Sequence, residues 1–527
     1  MIYDVIIVGA GASGLTAAAF LTKQGRNTLV LEKEHNYGGL VNTFTRDGFT
    51  FDGGIRALEN AGALFPMLKK LGIEIDLIKN RVSLGIEDQI IFVDSYENLN
   101  DYEAMLIGLY PESSDEISAI IEDIKQISRF MDIQYGIDNP LFLDFNQDRD
   151  YFIKEVFPWM FKYLLTVPKV SKKNEPVISY LRKFTSNQAL LDIITQHFFT
   201  NTPAYFALSY FKLYQDYFYP KTGTGTFSLK LVDFINEHGG EIRLGNAVVA
   251  IDLEKKIVKT SDGDEIQYKQ LLWTADQKTL YKIIETDRLH NSELLDVINE
   301  KQKILADMSG NDSIFTLYLT VNLPKDFFEE ISTGHFFYTP SRKGQSKAGQ
   351  PPVGSSWDDI QHWLKDFFTL TTYEIAIPAL RNPDLAPEGK TGLIISVLFD
   401  YPLAKYIYDQ GWDEVFRETA SKLIINTLEQ SVYPGLPEAI IDYFTATPIT
   451  IQKKAGTTDG AITGWSFSND PMPAESRLIR ISNAVNTPLP NVFQAGQWTY
   501  SPSGFPVSLI TGKLAADKID KCLKKSQ

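Results

Sequence analysis

The stretch "DVIIVGAGASGLTAAAFL", residues 4–21, decides the fold of this 527-residue chain. Its apolar start is short and rich in Val and Ile, which is typical of a parallel strand buried on both faces. The residues after Gly14 are good helix formers, and Gly25 is suited to end the helix. The segment "NTLVLE" then predicts a second strand that ends at Glu32. The sequence therefore predicts a strand–turn–helix–strand unit.

The glycine spacing in this unit indicates a binding site for the pyrophosphate of a dinucleotide. Gly9 permits a tight turn, Gly11 lets the backbone approach the pyrophosphate, and Gly14 lets the helix pack against the strand. The start of the helix, at Ala12 and Ser13, offers free N–H groups and the positive end of the helix dipole to an anion.

Glu32 strengthens this interpretation, because it follows the last glycine at roughly the 20-residue distance at which an acid binds a ribose diol. A 2′-phosphate would require a nearby Arg instead. The alternative is a glycine-rich turn in some other α/β protein, but the strand, helix and acid occur together here. A second loop, "GTGT" at 223–226, follows "YFYPK" rather than a buried strand and does not indicate a separate nicotinamide site.

Composition excludes several classes of protein. The 51 Lys and Arg against 66 Asp and Glu give a net charge of −15, which repels nucleic acid. The single cysteine, Cys522, allows no disulfide framework and no redox CxxC motif within one chain. No leader peptide is recognisable, and no run reaches the roughly 20 apolar residues of a spanning helix. We therefore expect a cytoplasmic protein, with peripheral membrane contact as an alternative.

Residues 32–60, "EKEHNYGGLVNTFTRDGFTFDGGIRALEN", carry a resemblance to a known family. A Gly-Gly pair, an aromatic residue and a "GFTFDGG" element follow the ribose acid in this order. This pattern resembles the flavin-dependent superfamily of phytoene desaturases, carotenoid isomerases and retinol saturases. In that superfamily the dinucleotide is FAD, and the residues after the FDxG element run along its isoalloxazine ring.

Two further segments are similar to the same superfamily. Residues 491–519, "NVFQAGQWTYSPSGFPVSLITGKLAADKI", resemble the element that closes the FAD site and aims a helix N-terminus at the flavin pyrimidine. Such a helix dipole suits the negative charge of a reduced flavin. Residues 217–251 resemble the segment whose strand returns to the FAD adenine. The chain departs from many relatives at Leu40, where they have Arg, and at Gln497, where they have an acid.

The glycine turn and the resemblance together predict FAD as the cofactor. The predicted FAD-binding residues are Gly9, Gly11, Ala12, Ser13, Gly14, Glu32, Lys33, Gly38, Gly39, Leu40, Gly53, Gly54, Ile55, Val248, Val249, Gly496, Gln497, Gly504, Phe505, Pro506 and Val507.

The fold class implied is α/β, with a Rossmann-type FAD-binding domain, an α+β substrate domain of helices on a sheet, and an amine-oxidase-like architecture. We expect the FAD-binding domain to be discontinuous, formed by residues 1–59, 216–279 and 456–527. Residues 60–215 and 280–455 would form the substrate domain. Within it, 113–131 has the pattern of a helix, and 313–322 and 391–399 read as strands.

Residues 150–173, "DYFIKEVFPWMFKYLLTVPKVSKK", concentrate aromatic residues beside lysines at 162, 169, 172 and 173. Pro158 predicts two short helices, because the residue before a proline resists helical geometry. One interpretation is a pair of core helices. The other is a patch that dips into a bilayer with its lysines at the headgroups.

Few residues in the sequence indicate a catalytic role. The six histidines show no metal-binding spacing, no metal site is expected, and no GxSxG motif occurs. Asp52 is interpreted as fixing its turn through hydrogen bonds. Arg56 is a candidate catalytic residue near the flavin edge, with an exposed ion pair as the alternative role. Tyr500 is the second catalytic candidate.

Three functions remain. The favoured one is an FAD-dependent oxidoreductase or isomerase that acts on double bonds of a polyene, an isoprenoid or an unsaturated lipid. The second is a flavin amine oxidase, for which Trp498 and Tyr500 could supply an aromatic cage, although no flavin-side lysine is assignable. The third is a non-catalytic lipid-binding module similar to the GDP dissociation inhibitors. The expected partner is a lipophilic small molecule, and the sequence carries no signal for an oligomeric state.

Overall fold

The fold was analysed in a computed structural model, which describes residues 2–525. Within this range the β-strands are, in chain order, β1 Ile2–Val8, β2 Thr28–Leu31, β3 Thr43–Arg46, β4 Phe49–Asp52, β5 Leu58–Glu59, β6 Leu77–Lys79, β7 Val82–Ile86, β8 Gln89–Val93, β9 Tyr217–Pro220, β10 Glu241–Arg243, β11 Val248–Asp252, β12 Ile257–Thr260, β13 Glu265–Trp273, β14 Ser313–Val321, β15 His335–Thr339, β16 Tyr373–Ala376, β17 Thr391–Phe399, β18 Ile440–Ala446 and β19 Val492–Gln494.

The α-helices of the same range are α1 Ala12–Lys23, α2 Leu64–Leu71, α3 Asn98–Leu109, α4 Ser114–Tyr135, α5 Arg149–Tyr151, α6 Phe157–Ser171, α7 Val177–Leu181, α8 Gln188–Thr195, α9 Ala204–Ala207, α10 Tyr210–Leu213, α11 Gly225–Glu237, α12 Gln277–Lys282, α13 Ser292–Ala306, α14 Lys325–Glu329, α15 Trp357–Leu370, α16 Tyr401–Asp409, α17 Asp413–Glu429, α18 Leu436–Ala439, α19 Pro448–Ala455 and α20 Phe505–Lys525.

The first sheet has the order β10-β2-β1-β13-β12-β11, and β19 pairs with β13. Strands β10, β2, β1, β13 and β19 run parallel, whereas β12 and β11 are antiparallel additions. Val5 and Ile7 of β1 pack into one hydrophobic core and Ile6 and Val8 into another. Side chains alternate along a strand, so both faces of β1 are buried, as its apolar sequence predicts.

The second sheet has the order β18-β14-β17-β16-β15-β7-β8. Its two longest strands, β14 and β17, are antiparallel neighbours in register from Ser313 opposite Phe399 to Val321 opposite Thr391. Helices α15, α16 and α17 contribute to the core on one face. The opposite face contributes Tyr318 to a small core with Phe49 and Phe51.

This architecture confirms the predicted fold class: a Rossmann-type sheet joined to an α+β unit of helices on a second sheet. The first sheet takes its strands from residues 2–31, 241–273 and 492–494, and the second from 82–93 and 313–446. Both strands expected around 313–322 and 391–399 are present. The exact domain boundaries stay a prediction.

The expectation of two separate helices in residues 150–173 is wrong. Helix α5, a π-helical turn at Phe152–Val156 and helix α6 form one uninterrupted helical run. Pro158 occupies the first turn of α6, next to the π-helical turn. The wider turn spares the hydrogen bond that a proline would otherwise remove, so the run continues.

Helices α1 and α20 cross at a glycine. A Cβ atom at Gly512 of α20 would lie 2.5 Å from the carbonyl oxygen of Ser13 in α1. No side chain can be accommodated at that distance from a backbone atom. The two helices therefore touch through their backbones where the second turn of α20 crosses the first turn of α1.

This contact predicts opposite effects of alanine at two helical glycines. Gly512→Ala should lower the free energy of unfolding by about 1–3 kcal/mol, because α20 must move away from α1. Gly108→Ala in α3 should raise it by about 0.5–1 kcal/mol, because the nearest atom to its Cβ position is 3.7 Å away. Urea unfolding of both variants measures the difference; equal effects would contradict the close crossing.

Candidate active site

A cavity of about 1180 Å³ lies beyond the carboxyl ends of β1, β2 and β13. It is larger than most small-ligand pockets, which span about 300–1000 Å³. The first turn of α1 borders it through Ala12 and Ser13, and the first turn of α20 through Phe505 and Ser508. Two helix N-termini, each with unpaired N–H groups, therefore face one cavity, which suits an anionic ligand.

The glycine turn has the conformation that its spacing predicts. Gly9 has φ +107°, which L side chains rarely adopt, and its N–H donates to the Leu31 carbonyl at 2.8 Å. A Cβ at Gly14 would lie 2.0 Å from the carbonyl oxygen of Gly9. At Gly11, by contrast, a Cβ would meet no atom within 4 Å and would point into open space beside the cavity.

The acid at the end of β2 is held by backbone donors. One Glu32 carboxylate oxygen accepts the N–H of Ala10 at 2.8 Å, and the other accepts the N–H of Glu34 at 2.9 Å. Both oxygens keep further lone pairs for a ribose diol. Lys33 is less available, because its ammonium group already contacts Glu34 at 2.7 Å and two backbone carbonyls near Lys454.

The closing element near the other chain end fits against the glycine turn. Gly496 has φ +96°, and a Cβ there would lie 2.7 Å from the Ser13 hydroxyl. Its N–H donates to the Thr511 hydroxyl of α20 at 3.0 Å. The nearest atom to a Cβ at Gly504 is 3.9 Å away. The segment is therefore packed tightly at Gly496 and open toward the cavity at Gly504.

Asp52 is fully buried and joins distant segments. Its carboxylate accepts the hydroxyls of Thr43, Tyr219 and Thr224 and the N–H of Thr224, at 2.8–2.9 Å. The interpretation of Asp52 as a structural residue is supported, with one difference: it ties β3, β9 and the start of α11 together rather than its own turn. A buried carboxylate with this many protein donors serves to hold the structure together.

Fifteen of the 21 predicted FAD-binding residues line the cavity: Gly9, Gly11, Ala12, Ser13, Glu32, Lys33, Gly38, Gly39, Leu40, Gly53, Ile55, Val248, Gln497, Gly504 and Phe505. Gly14, Gly54 and Gly496 lie behind this lining, where a Cβ would meet an atom closer than 3.0 Å. Pro506 and Val507 belong to the first turn of α20 without lining the cavity. The Val249 side chain is 50% exposed and points away, because adjacent strand residues face opposite sides.

Arg56 does not reach the cavity, which corrects its placement at the flavin edge. The side chain is buried, and it donates to the carbonyls of Asp52 and Gly54 at 2.7 Å and to the Ser396 hydroxyl at 2.8 Å. The alternative of an exposed ion pair is wrong for the same reason. Arg56 instead links the loop after β4 to β17 of the second sheet.

Tyr500 is also buried and does not line the cavity. Burial raises the pKa of its hydroxyl, and the nearby Tyr205, Tyr163 and Glu475 raise that pKa further. The hydroxyl donates to the Ser476 carbonyl at 3.3 Å. Tyr500 therefore belongs to a different group of side chains, on the far side of the segment that carries Gln497 and Trp498.

This group, the tyrosine cluster, comprises Tyr135, Tyr163, Tyr205, Tyr210, Tyr214, Tyr217 and Tyr500. The ring centroids of Tyr210 and Tyr214, and those of Tyr214 and Tyr217, are 5.8 Å apart. Burial raises the pKa of each hydroxyl, yet Tyr135, Tyr163, Tyr205, Tyr210 and Tyr217 keep part of their surface accessible. From these two properties we infer that the cluster borders an enclosed space.

Sequence reasoning missed many residues of the cavity. They include Asn42, Thr43, Phe44, Thr222, Gly225, Thr226, Trp273, Thr274, Ala275, Asp276, Tyr318, Phe444, Thr445, Lys454, Gly456, Thr457, Thr463 and Ser508. One signal was available for part of this set, because Trp273 ends an apolar strand that pairs in parallel with β1. Tyr318 and Phe444 come from the second sheet, and no local sequence pattern predicts that they line the cofactor cavity.

The comparisons with known proteins now decide the family. The sequence profile of the flavin containing amine oxidoreductases matches residues 12–300, more than half of the chain. The chain belongs to this family. It is therefore an FAD-dependent oxidoreductase, and the resemblance to the phytoene desaturase superfamily is confirmed at this level.

Three proteins similar to this chain differ in their activities. The 4,4'-diapophytoene desaturase of Staphylococcus aureus (strain COL) is 22% identical over 99% of this chain and 99% of its own. A triple mutant of putrescine oxidase has a TM-score of 0.61 at 14% identity, covering 99% of both chains. Reduced UDP-galactopyranose mutase has a TM-score of 0.57 at 15% identity, covering 99% of this chain and 94% of that one. The two structures share the fold.

The cavity fits FAD on the geometry of its own residues. Open space in front of Gly11 and Gly504, two helix N-termini and the hydrogen-bonded Glu32 carboxylate suit a pyrophosphate and a ribose. Bound FAD supplies a hydride acceptor or donor. Within residues 2–525, no group of three or more His, Cys, Asp or Glu side chains is arranged to hold a metal ion.

Gly11→Val should abolish FAD binding without unfolding the protein. The new side chain would occupy the pyrophosphate position, while the extended backbone at Gly11 (φ −78°, ψ 179°) tolerates valine. The flavin absorbance of the purified variant should fall at least tenfold. Gly108→Val is the control, since its Cβ position is also unobstructed and it lies in α3. A Gly11→Val protein that keeps its flavin would contradict the assignment of this cavity.

Proposed function

We propose that this FAD-dependent enzyme acts on double bonds of a polyene, an isoprenoid or an unsaturated lipid. The supporting observation is the tyrosine cluster, which borders an enclosed space one short segment away from the cofactor cavity. Residues 497–498 line the cofactor cavity, and the same segment reaches the cluster at Tyr500. A long apolar molecule that filled this space would bring its carbons toward the flavin.

The chemistry of such a substrate suits the residues present. A conjugated chain spreads the charge that develops when hydride is transferred, so strong charged residues at the reacting carbons are not required. Further aromatic rings pack against the cluster, with contacts between Phe206 and Tyr210 at 5.4 Å and between Tyr214 and Phe337 at 5.3 Å. The full-length similarity to a diapophytoene desaturase supports the same substrate class.

The amine oxidase alternative has weaker support. Trp498 lines the cofactor cavity and meets Trp465 at 4.8 Å, but Tyr500 faces the tyrosine cluster, so the pair does not form one aromatic cage. The lysines that line the described cavity are Lys33 and Lys454, and both lie beside Glu34 at the ribose end. The non-catalytic alternative does not agree with membership of an oxidoreductase family.

The reaction can be tested with oxidised and reduced enzyme under anaerobic conditions. A panel of carotenoids, retinoids and polyunsaturated fatty acids is supplied, and products are separated by chromatography. We expect a new chromophore or a shifted double bond with at least one of these substrates. If all of them remain unchanged while a primary or secondary amine bleaches the flavin, the amine oxidase function replaces this proposal.

We further propose that helix α6 contacts a lipid surface, from which such a substrate could be taken up. Its residues Phe157, Met160, Phe161, Leu164 and Leu165 are 42–73% exposed. Their spacing of three and four residues makes one continuous apolar stripe on the outside of the helix. An apolar stripe facing water is typical of interfacial helices.

The opposite face of α6 belongs to the protein interior. The Trp159 indole N–H donates to the Ile133 carbonyl, and its ring stacks on Tyr163 of the tyrosine cluster at 4.8 Å. One helix therefore separates the exposed stripe from the enclosed space. Lys162, Lys169 and Lys172 are exposed beside the stripe, whereas Lys173 is bound to Asp123 at 2.6 Å. No helix within residues 2–525 has both the length and the apolar character needed to cross a bilayer.

Liposome flotation tests this contact. Phe161→Asp with Leu165→Asp should lower the fraction bound to vesicles at least tenfold, since each buried apolar side chain contributes about 1.5–3 kcal/mol. Ile479→Asp is the control, because Ile479 is 70% exposed on a different element. Vesicles of neutral and of anionic lipids separate the apolar from the charge contribution. Wild-type protein that floats with neither would contradict the proposal.

A further inference from the structure

Glu59 is an acid that the site described above does not use. It ends the two-residue strand β5, where it pairs with Tyr217 of β9. Its neighbour Leu58 is fully buried in the core under the first sheet. Because adjacent strand residues point to opposite faces, the Glu59 side chain points away from that core and toward the tyrosine cluster.

The surroundings of the Glu59 carboxyl are mainly tyrosines. Its charge acts on the hydroxyls of Tyr135, Tyr210 and Tyr217, each of which has its pKa raised further by that charge. Part of the residue remains accessible, although the carboxyl is strongly desolvated. Glu59 therefore faces the same enclosed space as the cluster.

No described residue forms a hydrogen bond or an ion pair with the Glu59 carboxyl, a condition that contrasts with every other acid near the site. Asp52 accepts four hydrogen bonds, Glu32 accepts two, and Glu374 accepts one from His335 at 2.8 Å. A structural acid is normally satisfied in this way. A desolvated carboxyl with unused lone pairs and room in front of it is available to a bound molecule.

The chain connects Glu59 directly to the cofactor cavity. Gly53 and Ile55 line that cavity, and Glu59 lies four residues after Ile55. Tyr500, also in the cluster, lies two residues after Trp498, another lining residue. The two segments that border the cavity thus both continue along the chain into the tyrosine cluster, which contains Tyr500 and lies next to Glu59.

We propose that Glu59 is the catalytic acid–base residue, which exchanges a proton with the substrate in the space beside the flavin. This inference rests on the proposed function. In a dehydrogenation, bound FAD would accept the hydrogen and both electrons of one substrate C–H bond. The adjacent C–H bond gives its proton to the Glu59 carboxylate, and the electron pair left behind forms the C=C bond. A quinone-type two-electron acceptor reoxidises the flavin.

The charged groups around Glu59 set the pH range of this role. Burial, followed by the charge of Asp216, raises the pKa of Glu59 to about 8. Asp216 itself accepts the N–H of Ala61 at 2.7 Å, and Lys79 and Lys212 lie near it. The other titratable groups in this surrounding are Tyr135, Tyr163, Tyr205, Tyr210, Tyr214, Tyr217, Tyr500, Glu374 and His335. Burial lowers the pKa of His335, which leaves it neutral at pH 7.

The test compares Glu59→Gln with wild-type holoenzyme, using a carotenoid or polyunsaturated fatty acid that the wild type dehydrogenates. Glu300→Gln is the matched control, since Glu300 is exposed on α13. We expect Glu59→Gln to lose at least 100-fold in kcat with little change in KM, and to lose the rise in rate through about pH 8. Glu59→Asp should recover part of the rate.

Two measurements do not depend on turnover. Infrared difference spectra of the holoenzyme between pH 6 and pH 9 should show loss of a protonated carboxyl band that Glu59→Gln lacks. The wild type should also lose stability relative to Glu59→Gln as pH rises from 4.5 to 8, because the folded state holds the proton more tightly than the unfolded state. A wild type that turns over lipid while Glu59→Gln keeps the same rate and pH profile would overturn the role of Glu59. A wild type that acts on amines alone would overturn the proposed function, with the infrared band still reporting on the residue.

Discussion

The structure depends on the backbone contact between the first turn of α1 and the second turn of α20. Gly512 removes the side chain that would keep the helices apart, and Gly496 removes the one that would collide with Ser13. The two N-termini can therefore open into the same cavity. Each brings unpaired N–H groups and the positive end of a dipole, and together they concentrate positive potential in a protein whose net charge is −15.

The Rossmann part of the fold and most of its lining could be predicted from the sequence because the relevant information is local. Gly9, Gly11 and Gly14 stand at a recognisable spacing within one short stretch, and Glu32 directly follows a short apolar strand. The alternation of apolar and polar residues also located β14 and β17. The continuation of the helix through Pro158 could not be predicted, because it depends on a π-helical turn that single-residue preferences do not encode.

The candidate catalytic residues were less predictable than the cofactor-binding residues, for a different reason. Arg56 and Tyr500 were chosen for their closeness in sequence to cofactor-binding residues, but a change of one position along a strand or turn reverses the direction of a side chain. Glu59 lies three residues beyond Arg56, yet it is Glu59 that faces the tyrosine cluster. Its neighbours come from α4, α10 and β9, so only the tertiary arrangement distinguishes it from an ordinary acid in a loop.

The first sheet is assembled from strands near both ends of the chain, with β19 beside β13 and α20 packed on α1. At a synthesis rate of about 5–20 residues per second, about 25–100 seconds would therefore separate synthesis of the glycine turn from synthesis of the closing segment around Gly496. Until then the Gly9–Gly14 turn has no partner at Gly496 and the cavity has no far wall. FAD binding is thus a late event. When FAD binds, the second sheet of the chain has already been synthesised.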